Sequence, residues 1–187
     1  MSELHTHFDE LFTLDEDPWN YRSSWPERRR LDLLVAMLPD ERYDAVFEPA
    51  CANGTLTARL AARAKRLVAW DGSTHAVAHA RRHLSAFANV EFGNHLVPDD
   101  WPDSTFDLIV LSDFLYYLPS ETIADVAAVA LRTLRPKGSI AACHWLGSAH
   151  DFQVAGGRDV HRVLTTVLGV SNTSSHDPRH VIDVWTP

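Results

Sequence analysis

The chain has 187 residues, 45% hydrophobic and 22% charged. That is enough for one full core, too little for two independent enzymatic units, and neither disordered nor membrane-like in composition. With 17 Lys plus Arg against 25 Asp plus Glu the net charge is −8, which opposes the counterion release that polyanions require and makes nucleic acid an unexpected partner.

Residues 1–25 form an aromatic and acidic stretch, with His7-Phe8, Leu11-Phe12, Asp17-Pro18-Trp19 and Tyr21 in close succession, and read as an arm that caps something. Its opening, Met1-Ser2-Glu3-Leu4-His5-Thr6-His7, has no charged-then-apolar signal pattern. Cys51 and Cys143 alone give no disulfide framework, and no apolar run approaches the ~20 residues of a bilayer span. The expectation is a cytoplasmic chain without membrane contact, a monomer or homodimer, forming a single domain over 1–187.

Pro26 suits a first helical turn, and Leu31, Leu34, Val35 and Leu38 recur at helical spacing until Pro39. Within that helix Arg28-Arg29-Arg30 reads as a solvated face or a local cofactor contact. Strands are predicted at 45–48, 66–70, 90–92, 106–111 and 139–144, with helices at 55–64, 74–85 and 120–134 between them. The alternation predicts a parallel sheet in an α/β fold. Ser120 is a good N-cap for the helix whose stripe is Ile123, Val126, Ala127, Ala130, Leu131 and Leu134, and Arg135-Pro136-Lys137-Gly138 breaks it. A helix follows through Val160, Val163, Leu164, Val167 and Leu168, and His180-Val181-Ile182-Asp183-Val184-Trp185 alternates like a final edge strand.

The segment 45–71 carries most of the functional information. An apolar strand ends in Glu48, a turn of small residues opens a helix, and a second apolar strand ends in Asp71. This is the layout of a nucleoside grip: helix-start N–H groups lie beside the ligand, and the second acid accepts hydrogen bonds from ribose hydroxyls.

The set Glu48-Pro49-Ala50-Cys51-Ala52-Asn53-Gly54, Asp71, Phe106-Asp107-Leu108-Ile109-Val110-Leu111-Ser112 and Leu134-Arg135-Pro136-Lys137-Gly138 resembles the class I S-adenosylmethionine-dependent methyltransferases. Asp17-Pro18-Trp19-Asn20-Tyr21-Arg22-Ser23-Ser24-Trp25, Leu115-Tyr116-Tyr117-Leu118, His144-Trp145 and Asp159-Val160-His161 are similar, more narrowly, to the NodS-type N-methyltransferases. The resemblance implies a Rossmann-like three-layer sandwich whose seven-stranded, mostly parallel sheet has order 3-2-1-4-5-7-6, with S-adenosyl-L-methionine across the strand ends. It places Glu48 on the loop or the methionine amine, and Asp71, followed by Gly72 and Ser73, on the ribose. Ala50, Asn53 and Gly54 belong to the loop, with Gly54 letting the backbone approach the ligand. Asn94, His95 and Leu96 line the adenine, and Ser112 and Asp113 face the methionine moiety. Tyr21, Arg22 and Trp25 close over the cofactor as a lid formed by the arm.

The sequence departs from the family where Ala50 and Ala52 replace the first two loop glycines. In a left-handed backbone each Cβ would cost about 1–2 kcal/mol; with negative φ the methyls would pack harmlessly. Sequence leaves both open.

Methyl transfer is a displacement in which positioning supplies most of the catalysis. Trp19, Tyr21, Trp25, Tyr116, Tyr117, His144 and Trp145 form an aromatic set whose faces attract cationic groups. His144 is the first candidate to take an amine proton, Asp113 a second that holds the amine, and Tyr117 a third catalytic candidate where substrate enters. His75, His79 and His83 share one helix face at metal-ligand spacing, yet no acid or cysteine completes a set, so an exposed polar face is expected and no metal. Cys51 reads as a packing residue.

The reading is an S-adenosylmethionine-dependent N-methyltransferase acting on a small-molecule amine, whether an amino sugar, a chitooligosaccharide-like compound or a natural-product intermediate. Rivals are an O-methyltransferase, a non-catalytic binder of the cofactor with a degenerate loop, and a non-methylating use of the fold. A nicotinamide oxidoreductase fits less well with Glu48 and the Asp107-centred strand.

Overall fold

The computed structural model describes residues 3–187; Met1 and Ser2, which open the predicted arm, lie outside the described residues. Strands β1 (Tyr43–Pro49), β2 (Ala64–Asp71), β3 (Val90–Asn94), β4 (Phe106–Ser112) and β5 (Leu134–Trp145) pair in parallel. The polar β6 (Thr173–His176) runs antiparallel to β7 (His180–Trp185), which is antiparallel to β5. The order β3-β2-β1-β4-β5-β7-β6 is the predicted one, and helices on both faces make the Rossmann-like sandwich.

Strand side chains alternate between faces, which sorts the core into two layers. Phe47, Ile109 and Leu111 pack under α5 (Ser120–Thr133) and α6 (Gly157–Leu168) through Ile123, Val126, Val160 and Leu164. Val46, Leu108 and Val110 point the other way, to α2 (Trp25–Met37) through Leu31 and Leu34 and to α3 (Thr55–Ala61) through Leu56 and Leu60. The carboxylate of Asp107 accepts the backbone N–H groups of Asp44 and Ala45, both at 2.7 Å. This pins the start of β1 beside β4, where the strand order reverses. Crevices for ligands open at the carboxyl ends of strands at such a switch point.

Several elements differ from expectation: β7, read as the final edge strand, is paired on both sides between β5 and β6, and Pro119 rather than Ser120 stands at the N-cap of α5. The arm contains a helix, α1 (Glu3–Leu14), and the spacing of Phe8, Leu11 and Phe12 already had the helical period. It lies against α4 (Thr74–His83). Strand β6 reads Thr-Ser-Ser-His, and an edge strand with so little apolar surface leaves no alternation to detect. The expected break at Arg135-Pro136-Lys137-Gly138 lies inside β5. The β4–β5 register shifts between Phe106 and Leu108, and Lys137 takes φ 68°, so these residues form an irregularity within pairing rather than a connecting turn.

Candidate active site

A cavity of about 370 Å³ opens at the carboxyl ends of β1, β2 and β4. Ala50, Ala52, Asp71, Gly72, Ser73, His95, Leu96 and Ser112 line one part of it, and Asp113, Tyr116, Tyr117, Trp145 and Phe152 another. Its roof is the arm, through His5, Phe8 and Phe12 of α1 and Trp19 and Tyr21 of the following turn. A cleft of about 30 Å³ continues it past Tyr21, Arg30, Ala50, Ala52, Ser112 and Asp113 to Glu48 and Asn53.

The loop after β1 is left-handed at both departures from the glycine pattern, with φ 57° at Ala50 and 50° at Ala52. Each non-glycine residue there costs on the order of 1–3 kcal/mol, which the surroundings must offset. Asp71 supplies part of that offset: Oδ2 accepts the Ala52 N–H at 2.9 Å and Oδ1 the Ser73 N–H at 2.8 Å. Burial raises the Asp71 pKa against these bonds. Each oxygen retains a lone pair for a further donor.

Glu48 is 2% exposed, and its Oε2 has no hydrogen-bond partner. Burial pushes its pKa up to about 8. A bare carboxylate oxygen beside the cleft suits an ammonium, and a pair of hydroxyls suits Asp71. The residues present thus fit a ligand bearing both an amine and a ribose.

On the opposite wall Arg30 is buried at 2% exposure. It pairs closely with Asp113 and bonds Glu27 at 2.8 Å. Burial alone would lower the Arg30 pKa, but Asp113 and the other neighbours hold it well above the ordinary value. Asp113, at φ 54°, also accepts the Tyr116 hydroxyl at 3.1 Å and the Trp145 N–H at 2.9 Å. The arginine triplet is therefore divided: Arg28 bonds the carbonyls of Arg22 and Ser23, Arg29 pairs with Asp177, and Arg30 turns inward.

Several expected site residues lie elsewhere. Gly54 (φ 82°) lines neither cavity; a Cβ there would meet Leu84 Cδ1 at 2.6 Å and Ala80 Cβ at 3.1 Å, so its role is close packing on α4. Asn94 donates to the carbonyls of Asp71 (3.0 Å) and Gly72 (2.7 Å), bracketing the turn after β2 from outside the cavity. Asn53 edges the cleft but spends its amide on the Glu16 carbonyl and Asp17. Arg22 pairs with Asp17 and Glu16, away from the cavity, and Trp25 is 65% exposed at the start of α2. Tyr21, His95 and Leu96 do line the cavity.

His144 is fully buried and lines neither cavity. Its Nδ1 lies 3.1 Å from His161 Nε2, and His161 Nδ1 lies 2.5 Å from Asp183 Oδ2. Ionised Asp183 can only accept, so His161 donates to it from Nδ1, and His161 Nε2 and His144 Nδ1 share a hydrogen bond across the core. Burial, then the neighbouring His161, holds His144 well below the usual histidine pKa. It is a neutral strut beneath Tyr116, not a base facing the cavity. Tyr117 does line the cavity, and burial raises its hydroxyl pKa, so it stays protonated.

The histidine face of α4 is contacted by the arm at three points. His75 Nδ1 lies 3.1 Å from Asp9 Oδ1 and 3.2 Å from Thr13 Oγ1; His79 Nε2 donates to the Phe12 carbonyl at 2.9 Å; His83 Nε2 accepts from Arg22 at 2.7 Å. His75 and His83 stay exposed, as expected of a polar face, and His79 is half-buried; what the sequence did not show is that all three bond the arm. Cys51 is buried with Ala69 and Ala80, and burial pushes its thiol up. Sequence reasoning missed Glu27, Val97, Phe152 and His180, all of which line the cavity. Only the helical phase of Glu27 and Arg30, which places both on one face of α2, carried a signal.

With this geometry in hand, the chain can be set beside known proteins. The family model described as Nodulation protein S (NodS) matches residues 8–151. Nodulation protein S of Rhizobium tropici is 30% identical over 163 residues, which cover 82% of this chain and 66% of that protein. The chain spans between half and two thirds of the length of the curated relatives it matches. Among solved structures, a Pseudomonas syringae protein provisionally described as a methyltransferase is 38% identical, with TM-score 0.78 over 88% of this chain and 100% of that one. The N-methyltransferase NodS of Bradyrhizobium japonicum WM9, in complex with S-adenosyl-L-homocysteine, superposes with TM-score 0.82 over 96% of each chain; at 22% identity this likeness shows the fold.

Proposed function

Since the chain belongs to the nodulation protein S (NodS) family, we propose that it is an S-adenosylmethionine-dependent N-methyltransferase acting on the amine of a small molecule. The observation that carries this reading is the pair of acids at the tips of adjacent strands, half-buried Asp71 lining the cavity and buried Glu48 lining the neighbouring cleft that shares Ala50, Ala52, Ser112 and Asp113 with it. Asp71 accepts the ribose hydroxyls with the lone pairs its two backbone bonds leave over. Glu48 receives the methionine ammonium through its bare Oε2. His95, 4.0 Å from the Trp70 ring, and Leu96 form the wall beside the base.

When bound, S-adenosylmethionine supplies a sulfonium methyl: the amine lone pair forms the N–C bond as the C–S bond breaks toward sulfur, and the product ammonium yields its proton to solvent. The chain's part is to orient the acceptor and exclude water. Asp113, held by Arg30, is an acceptor for an amine N–H, and Tyr117 closes the opposite side. An amine is favoured over a hydroxyl because Asp113 is engaged with Arg30 and Tyr117 stays protonated. An amine lone pair needs no stronger base.

The arm acts as the lid. Phe8, Phe12, Trp19 and Tyr21 form the roof, so cofactor exchange requires α1 and its turn to lift from α4. The left-handed alanines favour a second reading, a binder with weakened cofactor affinity and no turnover. Mass spectrometry of a panel of small amines and matching alcohols incubated with S-adenosylmethionine and the protein separates the two. A methyl gain on amines supports the first reading, a gain on alcohols alone supports the O-methylating rival, and no gain despite cofactor binding supports the second.

A further inference from the structure

Because β7 runs antiparallel to β5, its first residue, His180, is the register partner of the last residue of β5, Trp145. His180 therefore reaches the rim of the sheet where the parallel strands end, and it lines the cavity with Glu27, Arg30 and Asp113. Its imidazole stands between two carboxylates: Nε2 is 3.8 Å from Glu27 Oε1, and Nδ1 is 3.7 Å from Asp177 Oδ1. Both separations exceed a hydrogen bond, so neither contact fixes the tautomer, whereas His144 is bonded to His161 in the core. The turn holds the residue in place instead. Asp177 Oδ1 accepts the backbone N–H groups of Arg179 and His180, each at 2.8 Å, and its Oδ2 accepts from Arg29 at 2.9 Å. The Asp177 side chain is 25% exposed, which makes His180 and Asp177 a short path from the cavity to solvent.

The charges around His180 come from three places. Glu27 and Arg30 belong to α2, Asp113 follows β4, and Asp177 precedes β7. Burial, then Arg30, holds the His180 pKa below the usual histidine value against the three acids, so the ring is neutral near pH 7 and able to accept a proton. The proposed reaction removes one proton for each methyl transferred. An acceptor that enters as the free amine loses it after transfer. One that enters as an ammonium must lose it first, because its nitrogen has no lone pair until then. Glu27 and Asp113 against the single cation Arg30 favour the ammonium at this end of the cavity.

We propose that His180 is a catalytic proton acceptor for an acceptor substrate that enters as an ammonium. The N–H bond breaks with its electron pair left on nitrogen, and the proton bonds to His180 Nε2. The freed pair then displaces sulfur from the sulfonium methyl carbon, and the imidazolium returns its proton to solvent past Asp177. This rests on the methyltransferase reading above and concerns only the end of the cavity away from Asp71.

The test follows methyl transfer from S-adenosylmethionine to glucosamine and to benzylamine by mass spectrometry from about pH 6 to 9. The readout is the ratio of the wild-type rate to that of His180→Gln, since Glu48 titrates alike in both proteins. The ratio should be at least about tenfold near pH 7. It should fall to within about threefold as the pH nears the amine's own pKa, where free amine enters without needing the histidine. S-adenosyl-L-homocysteine affinity within about twofold of wild type shows that the variant is folded. A ratio near one, or a loss that is the same at every pH, overturns the proposal. If His180→Gln does not bind S-adenosyl-L-homocysteine, Asp177→Asn takes its place: it keeps an acceptor for the turn and removes the charge facing Nδ1. A loss of about threefold with the same pH trend is then expected, and a flat ratio overturns the proposal. A wild type that binds the cofactor and methylates neither these amines nor any of the panel overturns the methyltransferase reading itself, a result distinct from failure of the variants.

Discussion

Asp71 Oδ2 accepts the backbone N–H of Ala52 at 2.9 Å, so the acid that ends β2 holds in place the left-handed turn that follows β1. The same carboxylate serves Ser73 with its other oxygen. Asp71→Asn replaces one acceptor oxygen with a donor and leaves a backbone N–H facing an NH₂ group. The expected cost is about 1–3 kcal/mol of stability, together with a loss of S-adenosyl-L-homocysteine affinity. Urea unfolding and calorimetry check both, and an unchanged midpoint would show that the loop does not depend on this bond.

Ala50→Gly and Ala52→Gly relieve a Cβ from a left-handed backbone. The glycine gains back part of the strain and loses some to unfolded-chain entropy. A net stabilisation of about 0.5–1 kcal/mol for each is expected from these opposing effects. Cofactor affinity should hold or tighten in the double variant. Destabilisation in both would mean that the two methyls contribute packing larger than the strain.

Glu48 gives the protein a pH dependence of definite sign. Its pKa is raised by burial from an ordinary 4.5 to about 8. Between those values the folded chain keeps a proton that the unfolded chain has released, so this contribution to stability is complete below the unfolded value. It declines as pH rises toward the folded value. Glu48→Gln should flatten that decline in thermal unfolding between about pH 5 and 8. If the ammonium of S-adenosyl-L-homocysteine docks on Glu48, binding near neutral pH expels up to about one proton from the wild type and none from the variant. Titrations in buffers of different ionisation enthalpy count that proton.

The arm should be released by cutting its fastenings on α4. His79→Ala removes the bond to the Phe12 carbonyl, and Arg22→Ala removes the partner of His83. Limited proteolysis within residues 5–25 should accelerate in the double variant, and S-adenosyl-L-homocysteine should slow it in the wild type. Equal cleavage with and without that ligand would sink the lid.

The fold was readable because its core obeys simple periods. The strands from Ala45, Arg66 and Phe106 are apolar runs, and Ile123, Val126, Ala127 and Ala130 fall on one helical face. The acid-tipped strands gave the location of the site for the same reason, since Glu48 and Asp71 end elements whose limits were visible. Of the opposite wall, Asp113, Tyr116, Tyr117 and Trp145 were legible as candidates, while the inward contact of Arg30 was hidden because it depends on rotation and distance rather than pattern. Arg30 turns inward while Arg28 and Arg29 stay outside, and Asp113 lies 83 positions away from it in the chain. His144 failed as a base for a related reason: nothing local reveals that it faces His161 and Asp183 across the core rather than the cavity. The histidines of α4 suggested metal spacing, and only the tertiary placement of the arm shows what they hold.

The central claim is that the cavity between Asp71 and Glu48 grips S-adenosylmethionine. Calorimetric titration of S-adenosyl-L-methionine into the wild type and into Asp71→Ala tests it most directly. The account predicts one-site binding with a dissociation constant on the order of 10 μM or tighter, weakened at least about tenfold in the variant. No binding up to about 1 mM, or equal binding by both proteins, would contradict it.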